Sequence, residues 1–510
     1  MARDNAAFTA LLVVVFLSLG LVGVVNHEMW RDELQSWLIA RDSSSIKNLF
    51  DNIRYESHPG LWYLILYLLT RFTHNPAAMQ LSHLILATGV IYVFARFSPF
   101  TKTQKVLFCF GYFPFYEYAV ISRNYALGIL CVVCFCALFQ TRTRSYVGLS
   151  FILLLLANTS VYGLIIAISF GLTLLFEPIV DGKIIGSLSS RKLDLTISLL
   201  VFAVGIVGAI VQIIPPPDRG FAGKWEAEFQ TSRLLRTLTI IWTSYIPIPN
   251  FFSLHFWNTN FFITGPMKIQ GEARAALSLS LLAMSLGLLA RRPVALFSYL
   301  SGAFGILVFT YVVYYGKVGH HGHLFILFVA SLWISIYYTD TGLSIRFVKS
   351  LANTAHRFGN TFVMVILYAH LAAGLMAFGL DFFSPFSGSK ETSRFIKGQH
   401  LSDMLIVGSR DSAVSPLSGY LDRKIYYPES DRFGSFIIWD NKREKVGPHK
   451  LLEKVIGLIT KRNTDALLVL NYKLKVRNPD LSIFELSRFS GSIIANENYY
   501  LYLIIRRKGT

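Results

Sequence analysis

Apolar runs near or above the length needed to cross a bilayer recur along the whole first three quarters of this 510-residue chain. A helical crossing takes about 20 apolar residues, and a chain holding many such runs must bury its backbone polar groups in helices. We place crossings at 8–25, 77–96, 105–118, 124–140, 145–158, 160–177, 194–214, 274–290, 294–315, 322–338 and 361–382, about eleven in all. Several are short for a straight crossing and are expected to tilt or to lie inside the bundle. With 53% hydrophobic and 15% charged residues, a soluble domain is excluded. The expected class is a polytopic α-helical membrane protein.

The net charge of +18 raises the question of nucleic acid. The cations, however, sit in short loops between alternate apolar runs: Arg96, Lys102 and Lys105; Arg142 and Arg144; Lys183, Arg191 and Lys192; Arg291 and Arg292; Arg346, Lys349 and Arg357. That is the pattern of topology signals and anionic-lipid contact, and no nucleic-acid motif accompanies it. The positive-inside rule then places the N-terminus in the cytoplasm, with the first run an uncleaved span. The run 61–69 is too short to cross and reads as a juxtamembrane or re-entrant helix, as does 234–246. Loops 26–76 and 215–273 therefore face outside. The four cysteines, Cys109, Cys131, Cys134 and Cys136, lie within apolar runs and read as core residues rather than disulfide or zinc ligands.

Near Ser384 the composition turns mixed, charged and rich in Gly and Ser. Short apolar runs at 404–407, 424–427, 436–439, 466–470 and 499–505, with an amphipathic helix at 448–460, predict a small α/β domain. The chain thus divides into a membrane domain, 1–383, and an outside domain, 384–510.

Chemistry-bearing residues concentrate in the expected outer loops. Asp32 and Glu33 are adjacent, so their side chains diverge and they are poorly placed as an acid and base across one bond. One is suited to abstract a proton while the other orients a substrate, an Arg or a metal; capping of a helix 33–41 by Asp32 is the structural alternative. His58-Pro59-Gly60, preceded by Glu56, opens the short helix from Leu61; Pro suits a first turn, and the free amides there suit an anion. Glu117 and Arg123 flank a membrane boundary, where ionisable groups within a bundle usually serve function. Lys317, His320, His321 and His323 form a second boundary cluster suited to phosphate, less specifically to metal. Arg219 and Lys224 follow a rigid Pro215-Pro216-Pro217 turn. Phe251, Phe252, Phe256, Trp257, Phe261 and Phe262 fit an interfacial aromatic belt better than an isoprenoid groove.

Together these residues resemble the GT-C superfamily of membrane glycosyltransferases, in particular the branch of the protein O-mannosyltransferases and the bacterial lipid A aminoarabinose and galacturonic acid transferases. In that branch an Asp-Glu pair follows the first span, as Asp32-Glu33 does. A His-Pro-Pro or Lys-Pro-Pro motif then opens a juxtamembrane helix, where this chain has His58-Pro59-Gly60. A further ionisable site follows the third span, in the position of Glu117 and Arg123. The resemblance implies a GT-C-like fold in a bacterial inner membrane, with the C-terminal domain outside. It also implies a polyprenyl-phosphate-linked sugar as donor, a hydroxyl-bearing glycan, glycolipid or protein as acceptor, and Asp32 as the base of an inverting transfer. Arg123, Lys317, His320, His321, His323, Arg219 and Lys224 become donor-phosphate candidates, and Glu56, His58 and Glu117 substrate-positioning ones. No cofactor is required; some relatives use a divalent metal, but Ser57 separates Glu56 from His58 here, so no metal ligands are assigned. A flippase for lipid-linked glycans, or a non-catalytic assembly subunit, is the competing reading. Membrane lipids are partners on any reading.

Overall fold

The computed structural model describes residues 2–180, 191–220, 225 and 228–507. Among them, nine helices are long and apolar enough to cross a membrane, and the chain is an integral membrane protein. In chain order, α1 (Ala2–Asn26) leads into three short helices, α2 (Arg31–Asp42), α3 (Ile46–Ile53) and α4 (Leu61–Thr70), before α5 (Ala77–Phe97) crosses. Helix α4 occupies the 61–69 run and is ten residues long, too short to span. Next come α6 (Lys102–Cys109), α7 (Tyr125–Leu138), α8 (Val147–Ala157), α9 (Val161–Val180) and α10 (Lys192–Ile213). The remaining helices of the membrane part are α11 (Thr231–Tyr245), the single-turn α12 (Phe261–Thr264), α13 (Gly271–Leu289), α14 (Pro293–Val312), α15 (Val318–Ser335) and α16 (Arg346–Phe383).

Two expected crossings depart from straight helices. The run 105–118 is broken after α6 and resumes as a π-helical segment, Tyr112–Val120, with Pro114 inside it. Proline removes one backbone donor and its ring displaces a carbonyl, which favours a wider turn there. The run 145–158 holds only the eleven-residue α8. A third difference concerns charge. Arg346, Lys349 and Arg357 do not lie in a connecting loop but on the first turns of the 38-residue α16, whose polar beginning extends beyond the apolar stretch.

After α16, helix α17 (Ser389–Gly398) leads into the sheet, with α18 (Asp411–Val414), α19 (Pro416–Leu421) and α20 (Pro448–Arg462) beside it. The strands are β1 (Leu405–Gly408), β2 (Ile425–Tyr427), β3 (Arg432–Gly434), β4 (Ala466–Leu470), β5 (Leu481–Phe489) and β6 (Tyr499–Arg506), ordered β3-β2-β1-β4-β6-β5. Strand β1 pairs in parallel with β2 and β4, while the outer pairs are antiparallel. The core strand β4 is apolar and buried throughout, as expected of a strand covered on both faces. Strand β5 was not anticipated from sequence. Its centre is exposed, with Glu485 and Arg488 among its residues, so its apolar signal is weak. The expected strand at 436–439 is absent. Its backbone instead meets a side chain of the membrane part: Gln35 receives the Ile437 N–H at 3.0 Å and donates to the Ile437 carbonyl at 2.7 Å. A side-chain amide thus takes the place of a neighbouring strand.

The same region clamps α2. Arg41 donates to Asp422 at 2.9 Å, Ser435 binds Asp42, and the Arg31 N–H reaches Glu497 at 3.2 Å. Leu34 packs against Gly419, where an added Cβ would come within 3.0 Å of it.

Candidate active site

Helix α2 begins one turn beyond the end of α1, and its start is fixed by Glu33. This side chain is fully buried. One oxygen accepts from the Ser122 N–H at 2.7 Å, and the other from the Trp30 N–H at 3.2 Å and from His27 at 3.0 Å. His27 also contacts Asp381 of α16 at 2.7 Å. Burial disfavours the charged imidazole, but Asp381 and Glu33 outweigh it and raise its pKa from 6.5 to about 10. Glu33 therefore serves as the helix-start acceptor, with both oxygens committed. Asp32 is not the cap: the N-cap residue is Trp30, and Asp32 lies in the first turn.

One residue earlier in the turn, Asp32 points the other way, into a cavity of about 150 Å³. Its carboxylate accepts from Arg123 Nη1 at 3.1 Å and lies 3.7 Å from Arg31 Nε, with the side chain 36% exposed. Gln35 and Ser36 line the same cavity, because residues three and four positions on share a helix face. Glu56 and His58 line it too. Between them Ser57 takes a φ of 53°, a left-handed turn uncommon outside glycine. Glu56 accepts from Gln35 Nε2 at 2.8 Å, and burial lifts its carboxyl to about 7. Burial and the nearby Arg123 lower the His58 pKa to about 4, so its imidazole is neutral at pH 7. The turn holding His58 is anchored from below: Gln212 of α10 accepts the Gly60 N–H at 2.8 Å and donates to Asn158 at 3.0 Å.

Thus Asp32, Glu56, His58 and Arg123, expected from three separate stretches, meet in one place. Arg123 pairs with Asp32 rather than with its sequence neighbour Glu117. Glu117 is buried deeper, accepting from Tyr112 at 3.2 Å and Trp257 at 3.1 Å. Lys317 lies beside this group, its ammonium 5.0 Å from the Trp30 ring and 5.4 Å from Trp257. Such contacts hold a cation at about 0.5–2 kcal/mol each, and burial lowers the Lys317 pKa.

The histidine cluster is not one surface. His320 accepts the Lys317 N–H at 2.9 Å on Nδ1, leaving Nε2 to meet the Tyr125 hydroxyl at 3.0 Å. His321 turns to Thr243 and the Tyr315 carbonyl, at 2.8 and 3.0 Å. His323 donates to the His320 carbonyl at 3.0 Å and stacks on Tyr162. His321 lies about 100° round the helix from His320, whereas His323, three residues on, shares the face of His320 and packs on the same Tyr125 and Tyr162 rings, as its spacing predicts. Arg219 forms a backbone bridge to Asp440 and does not line the cavity; Lys224 lies outside the described residues. The aromatic run is partly buried: Trp257 packs edge-on to Trp30 at 4.7 Å, and Phe251 stacks on Phe261 at 5.1 Å.

Sequence reasoning missed the far wall. Ser412, Ser415, Ile437 and Trp439 of the C-terminal region line the cavity with Trp62, Tyr63 and Asn124. Gln35 and Ser36 were accessible from their spacing to Asp32, whereas Ser412 and Trp439 carry no local signal. Glu56 and the unpartnered buried Nδ1 of His58 share the cavity, but among the described residues no three His, Cys, Asp or Glu side chains are grouped to hold an ion.

No family model matches the sequence, and no curated protein sequence matches it either. A solved structure does: the crystal structure of ArnT from Cupriavidus metallidurans bound to undecaprenyl phosphate, 13% identical, with 98% of each chain covered and a TM-score of 0.50. The chain therefore shares the fold of that protein, a helical membrane bundle carrying a small C-terminal sheet domain.

Proposed function

We propose that this protein is an inverting glycosyltransferase that moves a sugar from a polyprenyl-phosphate donor to an acceptor hydroxyl at the outer face of a bacterial inner membrane. The observation that carries the reading is the convergence of Asp32, Glu56, His58 and Arg123 on one cavity between the helix ends and the C-terminal sheet region. The likeness in fold to a protein solved with undecaprenyl phosphate supports the class of donor. On this reading the N-terminus is cytoplasmic, and residues 384–510 form an outside domain that closes the site.

The geometry divides the work. Asp32 Oδ2 is held by Arg123, while among the described residues Oδ1 has no partner closer than Arg31 at 3.7 Å and is free to accept the acceptor's hydroxyl proton. The resulting oxygen attacks the anomeric carbon from the face opposite the phosphate. The bond from carbon to the phosphate oxygen breaks, and the electron pair leaves with the polyprenyl phosphate. A phosphate leaving group needs positive charge more than it needs a proton donor. Arg123 and Lys317 supply that charge, with His320 holding Tyr125 against Arg123. His321, His323 and Arg219 are left out of this assignment, and Glu33 positions Asp32 rather than exchanging protons. Glu56 and His58 orient the acceptor or sugar hydroxyls.

The test is transfer of sugar from a polyprenyl-phosphate donor by purified protein. Asp32→Asn should reduce transfer by a factor of order 10²–10⁴ with helical content and melting unchanged. Full retention of transfer ends the assignment of the base. Movement of lipid-linked sugar across vesicles without glycosidic bond formation would instead support the flippase reading.

A further inference from the structure

A larger cavity of about 610 Å³, sharing no lining residue with the Asp32 cavity, plays no part in the proposed transfer. It opens where three elements meet: the end of α1, the start of α5, and helix α17. Its wall on the membrane side is apolar, with Val25 and Leu81 67% and 46% exposed. That wall is continuous with the bare lipid-facing surface of the same two helices, at Val22 on α1 and Ile85 on α5. Its opposite wall is basic. Lys390, Arg394 and Lys397 are spaced four and three residues apart along α17, which puts all three on one helix face.

The level of the stripe is set by contacts. Lys390 Nζ lies 3.4 Å from the carbonyl of Val25, in the last turn of α1. An ammonium on the terminal carbonyls of a membrane helix sits at the depth of lipid headgroups. Lys397 is held by the Tyr420 carbonyl at 2.7 Å, and Arg394 is exposed to the opening. The acidic groups facing the stripe are few. Asp422 is tied to Arg41 and His74. Glu391 shares α17, and Glu28, lifted by burial to about 7, has one buried oxygen with no hydrogen-bond partner among the described residues.

We propose that this cavity binds the phosphate headgroup of an anionic membrane lipid, with the three α17 cations on the phosphate and the acyl chains along the exposed faces of α1 and α5. An apolar floor open to the bilayer beneath a basic ceiling is complementary to an amphiphile with a negative head. A free anion would use only half of it. The site is separate from the Asp32 cavity and does not rest on the transfer reading.

The experiment uses the full chain in nanodiscs of phosphatidylcholine with phosphatidylglycerol as the probe lipid, and native mass spectrometry of the protein with its retained lipids. A Lys or Arg near an anionic surface is worth about fivefold in binding. The triple variant Lys390→Ala, Arg394→Ala, Lys397→Ala should therefore lose about a hundredfold in affinity for one phosphatidylglycerol. Leu81→Trp, which narrows the cavity and keeps the charge, should lose the same lipid. Lys473→Ala, on a remote exposed loop, should not. Equal retention by all variants overturns the proposal. Displacement of the lipid by inorganic phosphate at low millimolar concentration does so too, because it would make the site one for free anions.

Discussion

Asp32 and Glu33 are chemically near-identical neighbours, and the fold gives them opposite environments. Glu33 spends both oxygens on backbone amides and His27, so Glu33→Gln should lower stability by about 1–3 kcal/mol through lost charge-assisted bonds, read as a lower melting temperature in detergent. Asp32→Asn should change the rate and leave the melting temperature alone. Glu56 adds a pH signature. Its carboxyl is lifted by burial to about 7, and an ionised Glu56 is the form that accepts a substrate hydroxyl. Transfer should therefore rise as pH passes through about 7, and Glu56→Gln should flatten that rise. A profile unchanged by the substitution would remove Glu56 from the site.

At the scale of elements, the controlling joint is the meeting of α1, α2 and α16 through His27. Removing one partner of a buried ion pair costs about 3–5 kcal/mol, so His27→Ala should destabilise the protein by that order. The direction with pH follows from the shift. The folded-state pKa, about 10, lies above the ordinary 6.5, so the contribution is complete below 6.5 and is lost as pH climbs toward 10. Thermal melts of wild type and variant should converge over that range. A second joint is α15 against the π-helical segment. Gly322 leaves no room for a side chain, since a Cβ there would meet the Tyr118 hydroxyl at 2.3 Å and the Phe113 ring at 2.5 Å. Gly322→Leu should separate the two elements and lower expression of folded protein, measured by size-exclusion profile. These elements were largely legible beforehand, because apolar length marks each helix whatever it packs against. The breaks were not. The π-helical turn after Gly111 and the polar start of α16 depend on neighbours that no local window contains.

For the whole molecule, the cavity exists only because the C-terminal region lies over the helix ends. Ser412, Ser415 and Trp439 form one wall, and Gln35 joins the two parts by accepting from and donating to Ile437. Filling the wall from that side with Ser412→Trp should cut transfer at least about tenfold by displacing the substrate, with the melting temperature unchanged. An unaffected rate would mean that the C-terminal wall is not part of the site. Periodicity and apolar length alone determined the membrane class, the short helix at 61–70 and most strands of the sheet, because those features depend on each segment's own burial. They also pointed to Asp32, Glu56, His58 and Arg123, since charged residues are costly beside a bilayer and stand out there. Only the tertiary structure decided which of two adjacent carboxylates faces the cavity, that Arg123 pairs with Asp32 and not Glu117, and that His321 turns away to Thr243. Each of those outcomes is set by contacts between residues far apart in the chain, and hydrogen bonds with distant partners leave no trace in local spacing.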